Sequence, residues 1–169
     1  MVDWNDKEQV KKGNVGEKII KLFLEKKGFI IYKPETEDKH AFDILAVKNK
    51  DLIIIAEVKS YPRRNYYEDT GLNLEHYQEY KNIINKYNLP IFLFFVDEMK
   101  GEIYGNWLTK LELPYKINKL TYPLIQKGST GDRIYFPLCH MITIDKLTND
   151  EIKALKKHST RKYEYLNDP

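Results

Sequence analysis

Apolar positions recur at helical spacing through Val15, Ile19, Ile20, Leu22, Phe23 and Leu24, which predicts a helix from about Gly13 to Lys27 with one broad buried face. Gly28 supplies its stop, because a residue without a side chain readily takes the left-handed conformation that closes helices. The period then changes. Phe29 to Lys33 is short, aromatic and β-branched and reads as a strand ending at Pro34, followed by a charged connection from Glu35 to His40. Ala41 to Val47 and Leu52 to Lys59 are apolar runs separated by Lys48, Asn49, Lys50 and Asp51, turn formers at hairpin length, so the two runs are expected to pair antiparallel. Tyr61 to Leu72 reads as a polar loop. Leu74, Tyr77, Tyr80, Lys81, Ile84 and Tyr87 mark a second helix, which Asn88, Leu89 and Pro90 end before the apolar strand Ile91 to Val96.

The order helix, three strands, helix, strand predicts an α/β domain, a mixed β-sheet core flanked by helices in the order αβββαβ. Beyond Val96 the pattern weakens. Met99 to Glu102 reads as a turn, Ile103 to Leu108 as a strand or a short helix, and Leu113 to Arg133 largely as loop. Ile134 to Asp145, interrupted by Pro137, is expected to hold one or two short strands. Thr148 and Glu151 form a capping-box pattern that opens a basic helix. The expected organisation is one domain over residues 1–169: a core of about 13–96, a C-terminal α/β addition of about 97–158 and a polar tail from 159 to 169.

At 169 residues the chain suits one core better than two, and 28 Lys plus Arg against 25 Asp plus Glu leave a formal charge of only +3. Nucleic-acid affinity would therefore have to come from clustered cations. The single cysteine, Cys139, excludes an internal disulfide, and no signal-peptide pattern opens the chain, so a cytoplasmic location is expected. The longest apolar runs fall far short of the ~20 residues that span a bilayer, so no membrane association is expected.

Candidate chemistry lies in a carboxylate cluster. Glu-x-Lys alone carries little information, since it occurs six times, beginning at Glu25, Glu37, Glu57, Glu79, Glu98 and Glu151. Only Glu57-Val58-Lys59 closes a strand whose hairpin partner carries an acid where it can meet the pair. The two-residue period puts Glu57 and Lys59 on one face and Val58 on the other. Asp43, early in the preceding strand, then lies beside the late residues of its antiparallel partner. The rival Glu98-Met99-Lys100 follows a strand whose preceding helix offers no comparable acid.

Two neighbouring carboxylates resist ionising together unless a cation joins them, and oxygen-only ligands favour a hard ion such as Mg²⁺. Such a pair suits phosphodiester hydrolysis, with Lys59 orienting the nucleophile or stabilising transition-state charge. Glu17 shares a helix face with Ile20 and Leu24 and so points toward the packed side, while Gly13 and Gly16 allow close approach to the sheet or to a phosphate.

Gly-x-x-Gly-Glu on the first helix, then Phe-Asp-Ile, then Ala-Glu-Val-Lys-Ser, followed by helix and strand, resembles the PD-(D/E)xK nuclease superfamily of restriction-endonuclease-like proteins, and among them the archaeal-type Holliday-junction resolvases. The resemblance covers roughly Gly13 to Val96. It implies a Mg²⁺-dependent DNA endonuclease, with Mn²⁺ as a substitute ion. Asp43 and Glu57 become metal ligands, the Val58 carbonyl a further ligand, Lys59 the catalytic lysine and Glu17 the helix acid. Ser60 matches the resolvase-like pattern, whereas Phe42 replaces the motif's proline. Symmetric cutting of two strands would favour a two-fold homodimer.

More ordinary readings stand beside these. The Asp43, Glu57 and Lys59 group also reads as a strand-end salt bridge, and Glu17 as an acid favoured by its helix dipole. Arg63, Arg64, Tyr66 and Tyr67 are candidate nucleic-acid contacts, the guanidiniums for phosphates and the rings for stacking on bases, or else a solvated loop. Gln78 and Lys81 are the second helix's candidates for site contacts, with Tyr77, Tyr80 and Tyr87 read as packing. Lys153, Lys156, Lys157, Arg161 and Lys162 read as a polar face. The histidines are scattered without a zinc-binding pattern, and only His40 lies close to Asp43 in sequence. The chain has no P-loop, so no nucleotide cofactor is expected. A catalytically silent nucleic-acid-binding module of the same fold is the main alternative to an enzyme, and an interaction protein without nucleic-acid contact is a third.

Overall fold

A computed structural model of the chain describes residues 7–33, 42–64, 66–129 and 131–159. The expected connection from Glu35 to His40, with His40 itself, and the tail from residue 160 lie outside them. Helix α1 (Glu8–Lys26) begins before the apolar periodicity does and buries Ile19, Ile20 and Leu24, while Leu22 is exposed. Gly28 closes it at φ +84°. Strands β1 (Ile30–Tyr32), β2 (Ile44–Asn49) and β3 (Leu52–Lys59) follow as expected, and β2 pairs antiparallel with β3.

Asp69 to Asn73 departs from the expected loop and forms strand β4 (Asp69–Asn73). Asp, Gly and Asn are poor strand formers, so tertiary pairing rather than local preference makes this a strand. Helix α2 (Leu74–Tyr87) ends at Asn88 in the left-handed conformation, and β5 (Ile91–Asp97) is buried along its whole length. Next come β6 (Glu102–Trp107) and the short helix α3 (Leu108–Leu111), so the segment read as strand or helix contributes to both.

The expected loop from Leu113 to Arg133 instead contains β7 (Tyr115–Ile117), β8 (Leu120–Tyr122) and β9 (Leu124–Gln126), each too short to show a period. Strands β10 (Arg133–Pro137) and β11 (Ile142–Lys146) flank a 3₁₀ turn, and α4 (Asn149–Lys157) opens with the Thr148–Glu151 capping box.

The main sheet has the order β1-β2-β3-β5-β6-β11, with β3 parallel to β5 and the other pairs antiparallel. Of the strands after Asp97, β6 and β11 therefore extend the central sheet. A second sheet, β4-β10-β9, pairs β10 with both neighbours, and β7 pairs with β8 alone. Two apolar layers cover the main sheet. Ile54, Ala56 and Val58 face Ile20, Leu24 and Leu155 of α1 and α4, whereas Ile55, Leu93 and Phe95 face Tyr80, Leu72 and Phe136.

Candidate active site

Period-two alternation along β3 decides which way the site residues point. Val58 belongs to the layer beneath α1, so Glu57 and Lys59 project to the other side, toward α2. Ile44 pairs with Ala56, which sets Asp43 opposite Glu57 at the mouth of the β2–β3 hairpin. The Asp43 carboxylate accepts a hydrogen bond from the Val58 N–H at 2.7 Å. Phe42, in place of the motif's proline, packs its half-buried ring against the α2-side core.

The Lys59 ammonium donates to Glu57 Oε1 at 2.6 Å, and the Glu57 carboxylate is buried at 5% side-chain exposure. Burial pushes the Asp43 carboxyl up, and the nearby charges of Glu57 and Glu17 push it further, to about 8. Burial works against the charge on Lys59, yet Glu57, Tyr61 and Asp43 together outweigh it and hold its pKa above the ordinary lysine value. Lys59 is therefore an ammonium throughout the neutral range. Glu17 reaches the same neighbourhood from α1 and forms an ion pair with Lys33 at 2.6 Å.

Helix α1 comes this close because position 16 has no side chain. A Cβ there would lie 1.8 Å from Ser60 Oγ and 3.0 Å from Ser60 Cβ. The Ser60 hydroxyl is buried against the helix with no hydrogen-bond partner among the described residues. Gly13 has open space around it instead and lines a cleft of about 410 Å³ together with Lys12, Lys59, Ser60 and Arg133.

Tyr80, read from sequence as packing, is a site neighbour: its buried hydroxyl hydrogen-bonds Glu57, and burial followed by that carboxylate raises its pKa. Its helical periodicity correctly marked a buried face, and nothing local distinguishes a tyrosine that ends on a carboxylate from one that ends on carbon. Gln78 and Lys81 do not join the site. Gln78 is exposed beside Asn73 and Asp132, and Lys81 pairs with Glu112 at 2.9 Å.

The arginines behave differently from the phosphate hooks that the sequence suggests. Arg63 binds buried Asp97 at 2.8 Å and Glu102 at 2.9 Å while lying over the Tyr104 ring. Arg64 binds buried Asp69 and lies between the rings of Tyr67 and Tyr135. Both cations are neutralised internally, because Asp97 and Asp69 leave water and require partners. Tyr66 is 94% exposed, and Tyr67 shares a shallow aromatic cleft with Tyr115 and Tyr122. The rival Glu98 is buried and held by Lys12 at 2.5 Å, a structural pair that ties α1 to the end of β5.

Among the described residues no group of three or more His, Cys, Asp or Glu side chains is placed to enclose a metal ion. Asp43 and Glu57 could offer an ion two carboxylate ligands, the number Mg²⁺ commonly takes from protein while retaining waters. Burial raises the Asp43 pKa first and its neighbouring carboxylates raise it further, a charge balance that a hard cation between the oxygens would relieve, so the donor set fits such an ion. No helix among the described residues is long and apolar enough to cross a membrane.

No family model and no curated relative matches the chain. Among solved structures it is similar to Archaeoglobus fulgidus Hjc, a Holliday junction resolvase from an archaeal hyperthermophile, with a TM-score of 0.52 and 11% identity. The match covers 79% of this chain and 92% of that one. With its mixed sheet between helices, the chain has the restriction-endonuclease-like fold that its sequence resemblance implies.

Proposed function

We propose that the chain is a Mg²⁺-dependent endonuclease that hydrolyses phosphodiester bonds of DNA. Asp43 and Glu57 would hold the ion, with the Val58 carbonyl as a further ligand and Mn²⁺ as a substitute. The observation that carries this reading is the convergence of Asp43, Glu57 and Lys59 at the end of β3, where burial first, and then the charges of Glu57 and Glu17, raise the Asp43 carboxyl. When bound, such an ion polarises a phosphate oxygen and acidifies its own water. The chain's own contributions follow from its geometry. Lys59 carries a permanent positive charge beside the phosphate position and stabilises charge as it develops there. Glu57 fixes that ammonium, Tyr80 fixes Glu57, and Glu17 adds negative charge at the edge of the site.

The similar resolvase makes a four-way junction the first substrate to try, beside duplex and single strands, and a two-fold dimer the assembly that would cut both strands of a junction. The exposed, unpaired Cys139 agrees with a cytoplasmic setting. Calorimetric Mg²⁺ and Mn²⁺ titration combined with a nuclease assay tests the proposal. Asp43→Ala and Glu57→Ala should lose ion binding and cleavage, whereas Lys59→Ala should keep the ion and cut about 100-fold more slowly. Full cleavage by all three variants would overturn the assignment.

A second reading, a noncutting DNA-binding module of the same fold, draws on the closed Lys59–Glu57 ion pair and on the absence of a three-ligand group among the described residues. DNA binding that survives EDTA, with no cleavage under any divalent ion, would favour it.

A further inference from the structure

The cleft of about 410 Å³ that Lys59 lines is bounded by α1, the end of β3, the residues just after α4 and the first residue of β10. Its basic lining residues differ in how they are satisfied. Lys12 is paired with Glu98, Lys59 with Glu57 and the His158 ring with Glu8. Arg133 alone among the described cations lining this cleft has no carboxylate partner; it is exposed, and its guanidinium lies 5.9 Å from the centre of the Tyr61 ring. A guanidinium on a strand paired on both sides, next to an aromatic ring and with no side-chain hydrogen bond among the described residues, is suited to a phosphate diester.

Resting on the proposed function, we infer that Arg133 is a backbone-phosphate contact for the nucleic-acid strand entering the cleft beside Lys59. The second sheet is then part of the substrate surface. Pairing of Arg133 with Asn73 on one side and Gln126 on the other fixes the strand that presents it. Neither the β3 motif nor the helix α1 pattern contains this residue, which reaches the cleft only through the β4–β10 ladder.

Oligonucleotide binding in EDTA, measured by fluorescence anisotropy across a salt series, separates this role from catalysis. Arg133→Gln should weaken binding about tenfold and lower the slope of log affinity against log salt by about 0.9 for duplex or about 0.7 for single strand. Arg133→Lys should recover most of the slope because it restores the charge. Parent-like affinity and slope in Arg133→Gln would overturn the inference and leave the nuclease reading standing. A loss that Arg133→Lys does not recover would also overturn it, marking a structural role. Absence of any binding by the parent protein, in EDTA and again with Ca²⁺ in place of Mg²⁺, would overturn both readings.

Discussion

Asp43 shows how one side chain can register the chemistry of its surroundings. Its carboxyl is raised from 3.8 to about 8, so between those values the native state holds a proton that the unfolded chain has released. Stability in EDTA must then fall as pH rises through that window, because the folded form binds more protons than the unfolded one. Asp43→Asn keeps an oxygen for the Val58 N–H and carries no charge. At pH 8 in EDTA it should be more stable than the parent by on the order of 5 kcal/mol, with the difference vanishing near pH 4. Mg²⁺ should raise the parent's melting temperature at pH 8 and leave that of the variant unchanged. Parallel pH profiles for the two proteins in EDTA would show that Asp43 ionises freely in the native state.

Among the elements, α1 packs along β3 and closes on the residue after it where Gly16 meets Ser60. Alanine at position 16 would gain about 1 kcal/mol of helix propensity, but its methyl would lie 1.8 Å from the present Ser60 Oγ. Overpacking of this kind costs about 1–3 kcal/mol, so Gly16→Ala should destabilise the protein in urea denaturation. Adding Ser60→Ala should recover part of the loss, since Cβ of Ser60 still lies 3.0 Å away. Additive effects of the two changes would argue against the contact. This coupling also marks the limit of what could be read in advance. The hairpin, the facing of Glu57 and Lys59, the helix stop at Gly28 and the capping box at Thr148 all follow from local patterns. Strand β4 does not, because its Asp, Gly and Asn residues become a strand only through pairing with β10. Tyr80 and Arg133 reach the candidate site from helix and strand faces chosen by packing. Arg63 and Arg64 look like free cations in sequence because their partners, Asp97 and Asp69, lie in other elements.

Taken as a whole, the molecule uses those two arginines to join its parts. Arg64 binds Asp69 at the start of β4 and Gln126 in β9, while Tyr122 donates to the same aspartate at 2.7 Å. Arg64→Ala would strip a fully buried carboxylate of its cation and should cost about 3 kcal/mol in chemical denaturation, with little change in DNA affinity per folded molecule. Unchanged stability with lost DNA binding would restore the phosphate role that the sequence suggests.

The central strand β5 gives the segment after Asp97 a further meaning. Its phenylalanines are buried because β6 hydrogen-bonds along the flank opposite β3. A chain cut back to the part that carries the nuclease resemblance would lay bare a long, uncharged, aromatic edge with every ladder donor and acceptor on that side open to another molecule. The late strands thus cover an edge suited to templating aggregation, and the part of the chain that resembles nucleases does not cover its own last strand.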